Sequence, residues 1–206
     1  MLAAVVVLLA VGLLSRAVKA QSLDYVTEEE EDLIRDAQGL PARVPLFLKL
    51  LDNRIVALGL RERSAKEREQ AKKDLEDYER EVKEAKDLKV KDAEIRAKPL
   101  RPDIYLRNTP RTDLLRGYIQ IIQETMDNID DAYIRKLDVR RHVESLEKFI
   151  SEQLPRFDKF EARTPAETAA LKDAIDHSKE AIEDCRKALK SLPKTESIEK
   201  SQKNSR

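Results

Sequence analysis

The chain has 206 residues, 40 basic and 40 acidic side chains, 41% hydrophobic residues and 39% charged ones. Only 4 Gly, no Trp and few other aromatics argue against sandwiches, barrels and doubly wound sheets, and abundant Glu, Lys, Arg, Leu and Ala favour long helices. Balanced charge gives no electrostatic footprint for nucleic acid and no overall attraction to anionic lipid.

Residues 2–14, LAAVVVLLAVGLL, are apolar or Gly, and Arg16, Lys19 and Ala20 follow. A run of that length is short for a membrane span but suits the core of a signal peptide. Small Ala20, with Val18 two positions before it, predicts cleavage that leaves Gln21 first. The expectation is therefore an exported protein, periplasmic or extracellular, with no stable membrane span after cleavage. Retention of residues 2–14 as a membrane anchor is the alternative. Cys185 is the sole cysteine, so no intramolecular disulfide can form and packing must hold the fold.

Thr27 and Glu30 spell a capping box, which predicts a helix over 28–38 with Leu33 and Ile34 as its apolar contacts and Gly39 as its stop. The acids from Glu28 to Asp32 occupy the first turn, where they favour the helix dipole; this explains them better than a cation site. Pro41 and Pro45 open a second helix. Its core, 44–60, is the most apolar stretch of the mature chain, and Lys49, Asp52 and Arg54 interrupt it, so it is not a span. Leu46, Phe47, Leu50, Leu51, Ile55 and Leu58 cover a wide arc, so this helix should be central.

The character changes over 61–98, where 13 basic and 12 acidic residues fall within 38 positions. Ser64 and Glu67 repeat the capping-box spelling, with a helix that simply runs through as the alternative. Glu69–Lys73, Glu76–Arg80, Glu79–Lys83 and Asp87–Lys91 are acid-before-base pairs four apart, each adding a few tenths of a kcal/mol to an exposed helix. Ala71, Leu75, Tyr78, Val82 and Ala85 form a narrow heptad seam. The expectation is an extended, highly charged, coiled-coil-like helix over 64–98, with Leu75, Tyr78 and Val82 as the candidate interaction seam. Disorder is the competing reading, especially after Leu88.

Pro99, Pro102 and Pro110 bracket a loop whose Ile104, Tyr105 and Leu106 should dock on the bundle. Thr109-Pro110 then starts an amphipathic helix whose stripe is Leu115, Tyr118, Ile122, Met126, Ile129, Tyr133 and Leu137. A continuation carries Val143, Leu146, Phe149, Ile150 and Leu154, and Pro155 must kink or end it near Gln153. Thr164-Pro165-Ala166-Glu167 is the clearest helix start in the chain. Leu171, Ile175, Ser178, Ile182, Cys185 and Leu189 form the next stripe, so Cys185 should face the core. Residues 193–206 read as a disordered polar tail. The predicted fold is all-α: a long-helix up-down bundle over 21–192 built around 44–60, 111–137, 139–154 and 166–191, with 64–98 projecting from it or lying along it.

No GxGxxG, GxxxxGK, GxSxG, HExxH or CxxC occurs, and no calcium-loop spacing. Haem could be held only by His142, His177 or Met126, and core packing explains Met126 better. No cofactor or metal is expected. A hairpin of 139–162 on 165–191 would set His142 at the height of Cys185, and a His near a thiol can activate it. No third orienting residue follows, so a buried Cys beside a half-exposed His is the preferred reading. Arg135, Lys136, Arg140 and Arg141 alternate with Asp138 and Glu144 and read as a solvated helix face. The expected function is a non-enzymatic structural or interaction protein, with a protein partner or a second copy on its helix faces. A helical carrier or chaperone-like protein holding a hydrophobic ligand or an unfolded chain is the alternative.

Overall fold

A computed structural model describes residues 25–87, 99 and 105–193. The expected signal peptide, the 88–98 part of the expected charged helix, Ile104 and the expected polar tail over 194–206 lie outside the described residues. Among those described there are six α-helices and no strand: α1 (Glu28–Asp36), α2 (Leu40–Ala57), α3 (Ala65–Asp87), α4 (Arg111–Ile134), α5 (Arg140–Gln153) and α6 (Pro165–Ser191). The chain folds as an all-α helical bundle.

The helix starts follow the local chemistry. Thr27 and Glu30 form the reciprocal capping box of α1. Ser64 and Glu67 do the same for α3, so α2 and α3 are separate helices. Gly59, at φ 77°, turns the chain out of α2, with Gly59 N–H donating to the Val56 carbonyl and Leu60 N–H to that of Ile55. Pro45 lies inside α2 and not at its opening, because the helix already begins at Leu40. Pro155 ends α5 and converts the chain into a 3₁₀ turn, Leu154–Lys159, which the apolar periodicity did not reveal. That turn buries Phe157 edge-on against Tyr118, with ring centroids 5.2 Å apart.

Long-range contacts give the directions. Arg43 near the start of α2 bonds Asn128 near the end of α4, so these two are antiparallel. Arg111 and Glu167, at the starts of α4 and α6, pair at 3.1 Å, so those two are parallel. Arg140 at the start of α5 donates to the Leu189 and Leu192 carbonyls at the end of α6. Direction therefore alternates along the chain through α2, α4, α5 and α6. In space, α4 packs on α2 and α6, and α5 packs on α6 and α2.

The core faces share much of the predicted stripes, with Leu115, Tyr118, Ile122, Ile129, Ser178, Ile182 and Cys185 buried, but they are wider and shifted in part. On α6 the buried line is Ala170, Ala174, Ser178, Ala181, Ile182 and Cys185, while Leu171, Ile175 and Leu189 flank it half-buried. Small residues on this line let neighbouring helices approach closely, because interaxial distance follows side-chain size. On α4 the face runs through Leu114, Leu115, Tyr118, Ile121, Ile122, Thr125, Ile129 and Ala132. Two members of the predicted stripe leave the core: Tyr133 is 58% exposed and Leu137 is 51% exposed. The helix ends at Ile134, and Ala132 takes the inward position.

One buried polar cluster ties the fold together. Glu30 and Arg54 are 0% and 2% exposed and form a two-pronged ion pair, each prong 2.8 Å. Arg54 also donates to the carbonyls of Leu50 and Tyr25, and Glu30 accepts from the Tyr105 hydroxyl and the Thr27 N–H. Asn53 donates to the Tyr105 hydroxyl. Gly117 makes room for the cluster: a Cβ there would lie 2.7 Å from Arg54 Nε and 3.1 Å from the Tyr25 carbonyl oxygen. Glu30 thus caps α1 and neutralises Arg54 with the same carboxylate, a double role that the acid run in the sequence concealed.

Candidate interaction surfaces

The 23 residues of α3 include none that is buried. Leu75, Tyr78 and Val82 are half-exposed along one side. Helix–helix pairing of a heptad seam needs a second apolar stripe to exclude water from it. The charges around the seam pair locally: Glu69–Lys73 at 3.0 Å, as the spacing predicts, with Lys72–Glu76 at 3.6 Å and Asp77–Arg80 at 2.6 Å in place of Glu76–Arg80.

The base of this arm is fixed. Arg61 pairs with Asp52 of α2 and with Glu67 in the first turn of α3. Hydrogen bonds from Arg61 and from the Ser64 N–H hold the Glu67 carboxyl down at about 2, and the two carboxylates raise the Arg61 guanidinium further. Beyond the arm, Tyr105 returns the chain to the bundle through its bond to Glu30; burial, with the Glu30 carboxylate beside it, raises its phenol. The arm's entry and exit are therefore anchored to α2 and α1 by charge-assisted bonds.

A second surface lies where the far ends of α4 and α6 meet the start of α5. A cleft of about 340 Å³ opens there, walled by Met126, Ile129, Val143, Leu146, Ala188 and Leu192. Cys185 lines it and is 5% exposed. Burial, then the carboxylates of Glu147, Asp184 and Asp130, push its thiol up to about 11. A thiol so placed stays protonated and is a poor nucleophile at neutral pH. His142 is half-exposed on α5, and burial with the Arg141 charge lowers its imidazole. Among the described residues no hydrogen bond joins His142 to Cys185. Met126 is half-buried at the cleft wall, and His177 is exposed with Nδ1 2.9 Å from the Asp173 carbonyl oxygen. No group of three or more His, Cys, Asp or Glu able to hold a metal occurs among the described residues. Nor, among them, is any helix long and apolar enough to cross a membrane.

The turn between α4 and α5 borders this cleft, and sequence reasoning missed its character. It carries the exposed large hydrophobic side chains of the described residues: Tyr133, Ile134 and Leu137. The stripe pattern assigned two of the three to the core. The available signal was the pair Tyr133-Ile134 directly before the basic Arg135-Lys136, where a helix end and an apolar stripe compete. Compared with known proteins, the chain matches no family model, no curated protein and no solved structure.

Proposed function

We propose that the protein is an exported, non-enzymatic interaction protein whose arm, α3, presents Leu75, Tyr78 and Val82 to a partner helix. The observation that carries this reading is a 23-residue helix with heptad-spaced apolar positions and no buried residue. Burying such a seam can contribute about 1.5–3 kcal/mol per large side chain, a gain reached only against another helix. The partner is a helix with a matching seam, from a second copy or another protein. The experiment compares wild type with Leu75→Glu/Val82→Glu, using circular dichroism for helicity and light scattering or crosslinking for association. Helicity and the thermal transition of the bundle should persist while association weakens. A collapsed thermal transition with unchanged association would place the seam in the protein's own core and overturn the reading.

The cleft beside Cys185 favours a second reading, a carrier of a small hydrophobic ligand. Its apolar walls and modest volume fit one such molecule. Native mass spectrometry of freshly purified protein should then show a bound species that Leu146→Trp displaces by filling the cleft.

A further inference from the structure

The α4–α5 turn combines three features that are separate elsewhere in the bundle. Its apolar side chains point outward: Ile134 is 76% exposed, Tyr133 58% and Leu137 51%. They stand at the end of the bundle, in the turn that joins α4 to α5. The turn is also shaped in advance. Lys136 N–H donates to the Tyr133 carbonyl and Leu137 N–H to that of Ala132, the paired bonds of a Schellman ending. That ending places its first residue beyond the helix in the left-handed region, where Gly is the favoured residue. Here the residue is Lys136, at φ 61°. A strained lysine where glycine fits better is a reason to look for a use of its charge.

The charges follow the same pattern. Between 133 and 141 the chain has Arg135, Lys136, Arg140 and Arg141 against Asp138 alone. Asp138 accepts the Arg140 N–H at the start of α5. Arg135 pairs with Asp131, and Arg140 pairs with Glu144 while binding the carbonyls at the end of α6. Asp130 faces the neighbouring cleft. Lys136 and Arg141 have no ion-pair partner among the described residues. The described chain ends at this end of the bundle, after α6, and the sequence beyond Pro193 has four basic and two acidic side chains. Apolar tips flanked by unpaired cations suit a bilayer, which offers hydrocarbon beneath a layer of phosphates. A protein partner would need an acidic rim around an apolar pocket, a more particular complement.

We propose that the α4–α5 turn is a membrane-docking tip: Tyr133, Ile134 and Leu137 enter the headgroup layer of an anionic bilayer while Lys136 and Arg141 contact lipid phosphates. The contact is peripheral and reversible. It is independent of the α3 seam and of any anchoring by residues 2–14.

The chain contains no Trp. Ile134→Trp therefore places a single reporter on the tip, and Lys159→Trp places one at the opposite end as a control for anchoring by other segments. Each full-length variant is mixed with vesicles of phosphatidylcholine alone or of an equimolar phosphatidylcholine–phosphatidylglycerol mixture. With the anionic vesicles, emission from Trp at 134 should shift to the blue and be quenched by brominated acyl chains, and emission from the control should not. Adding Lys136→Gln and Arg141→Gln should weaken this partitioning about five-fold per charge removed, and added salt should weaken it further. No shift with anionic vesicles, or an equal shift with neutral ones, would overturn the proposal. So would a shift that grows with protein concentration without lipid, which would assign the turn to a second copy of the chain.

Discussion

Replacing Glu30 with Ala removes one carboxylate and leaves four donors without their acceptor. Two are the Arg54 prongs at 2.8 Å, one is the Tyr105 hydroxyl at 2.7 Å, and one is the Thr27 N–H at 3.1 Å. Arg54 is 2% exposed, so its charge cannot recover hydration without local opening. Breaking a buried pair by deleting one partner costs about 3–5 kcal/mol, and the lost half of the capping box adds about 1 kcal/mol. A bundle of this size is stable by about 5–15 kcal/mol, so Glu30→Ala should remove a large share of it. Removing both charges, as Glu30→Ala/Arg54→Met, should be milder than the single change, because no unpaired charge remains. Urea unfolding followed by circular dichroism on wild type, both single variants and the double variant gives the coupling directly. A Glu30→Ala loss below about 1 kcal/mol with no coupling to Arg54 would refute the reasoning. It would mean that α1 lifts away and lets water reach Arg54.

Two further outcomes follow from single residues. Lys136→Gly should raise stability by about 1 kcal/mol in thermal or urea unfolding, since it relieves a left-handed lysine; the same variant should bind anionic vesicles less well. Cys185 should react slowly with maleimide at neutral pH in the native protein and quickly in urea. Its thiol is raised from 9.0 to about 11 in the fold, so the stability it contributes is complete below pH 9 and is lost as pH rises through 11. Rapid native labelling would show that the cleft opens to solvent around it.

Much of this architecture was legible along the chain, because helix boundaries are set by neighbours in sequence. Thr27–Glu30, Ser64–Glu67 and Thr164–Glu167 each place an oxygen within reach of an orphan backbone N–H, so the starts of α1 and α6 follow from spacing, while the same spelling at α3 was compatible with a helix running through from α2. Pro155 cannot donate to an α-helical ladder, so a kink or an end near Gln153 was legible, and the fold takes the end. The narrow seam and dense charge of α3 marked a helix without a full core face, but whether it lay along the bundle or projected from it was open until the fold left none of its 23 residues buried. Which side of a helix meets the core is a different matter. It depends on how closely its neighbours approach, and on α4 and α6 the small residues Ala132, Ala170, Ala174 and Ala181 take the inner positions that bulk and hydropathy assign to others. Tyr133 and Leu137 are apolar in composition and surface in fact, because α4 stops at Ile134 and the turn carries them outward. Glu30 and Arg54 stand 24 residues apart, and each has an ordinary local explanation, a capping acid and a charge that interrupts an apolar helix. Only the packing of α1 on α2, with Gly117 leaving space for the guanidinium, makes them one buried pair, since the desolvation that requires their union exists only in the folded core.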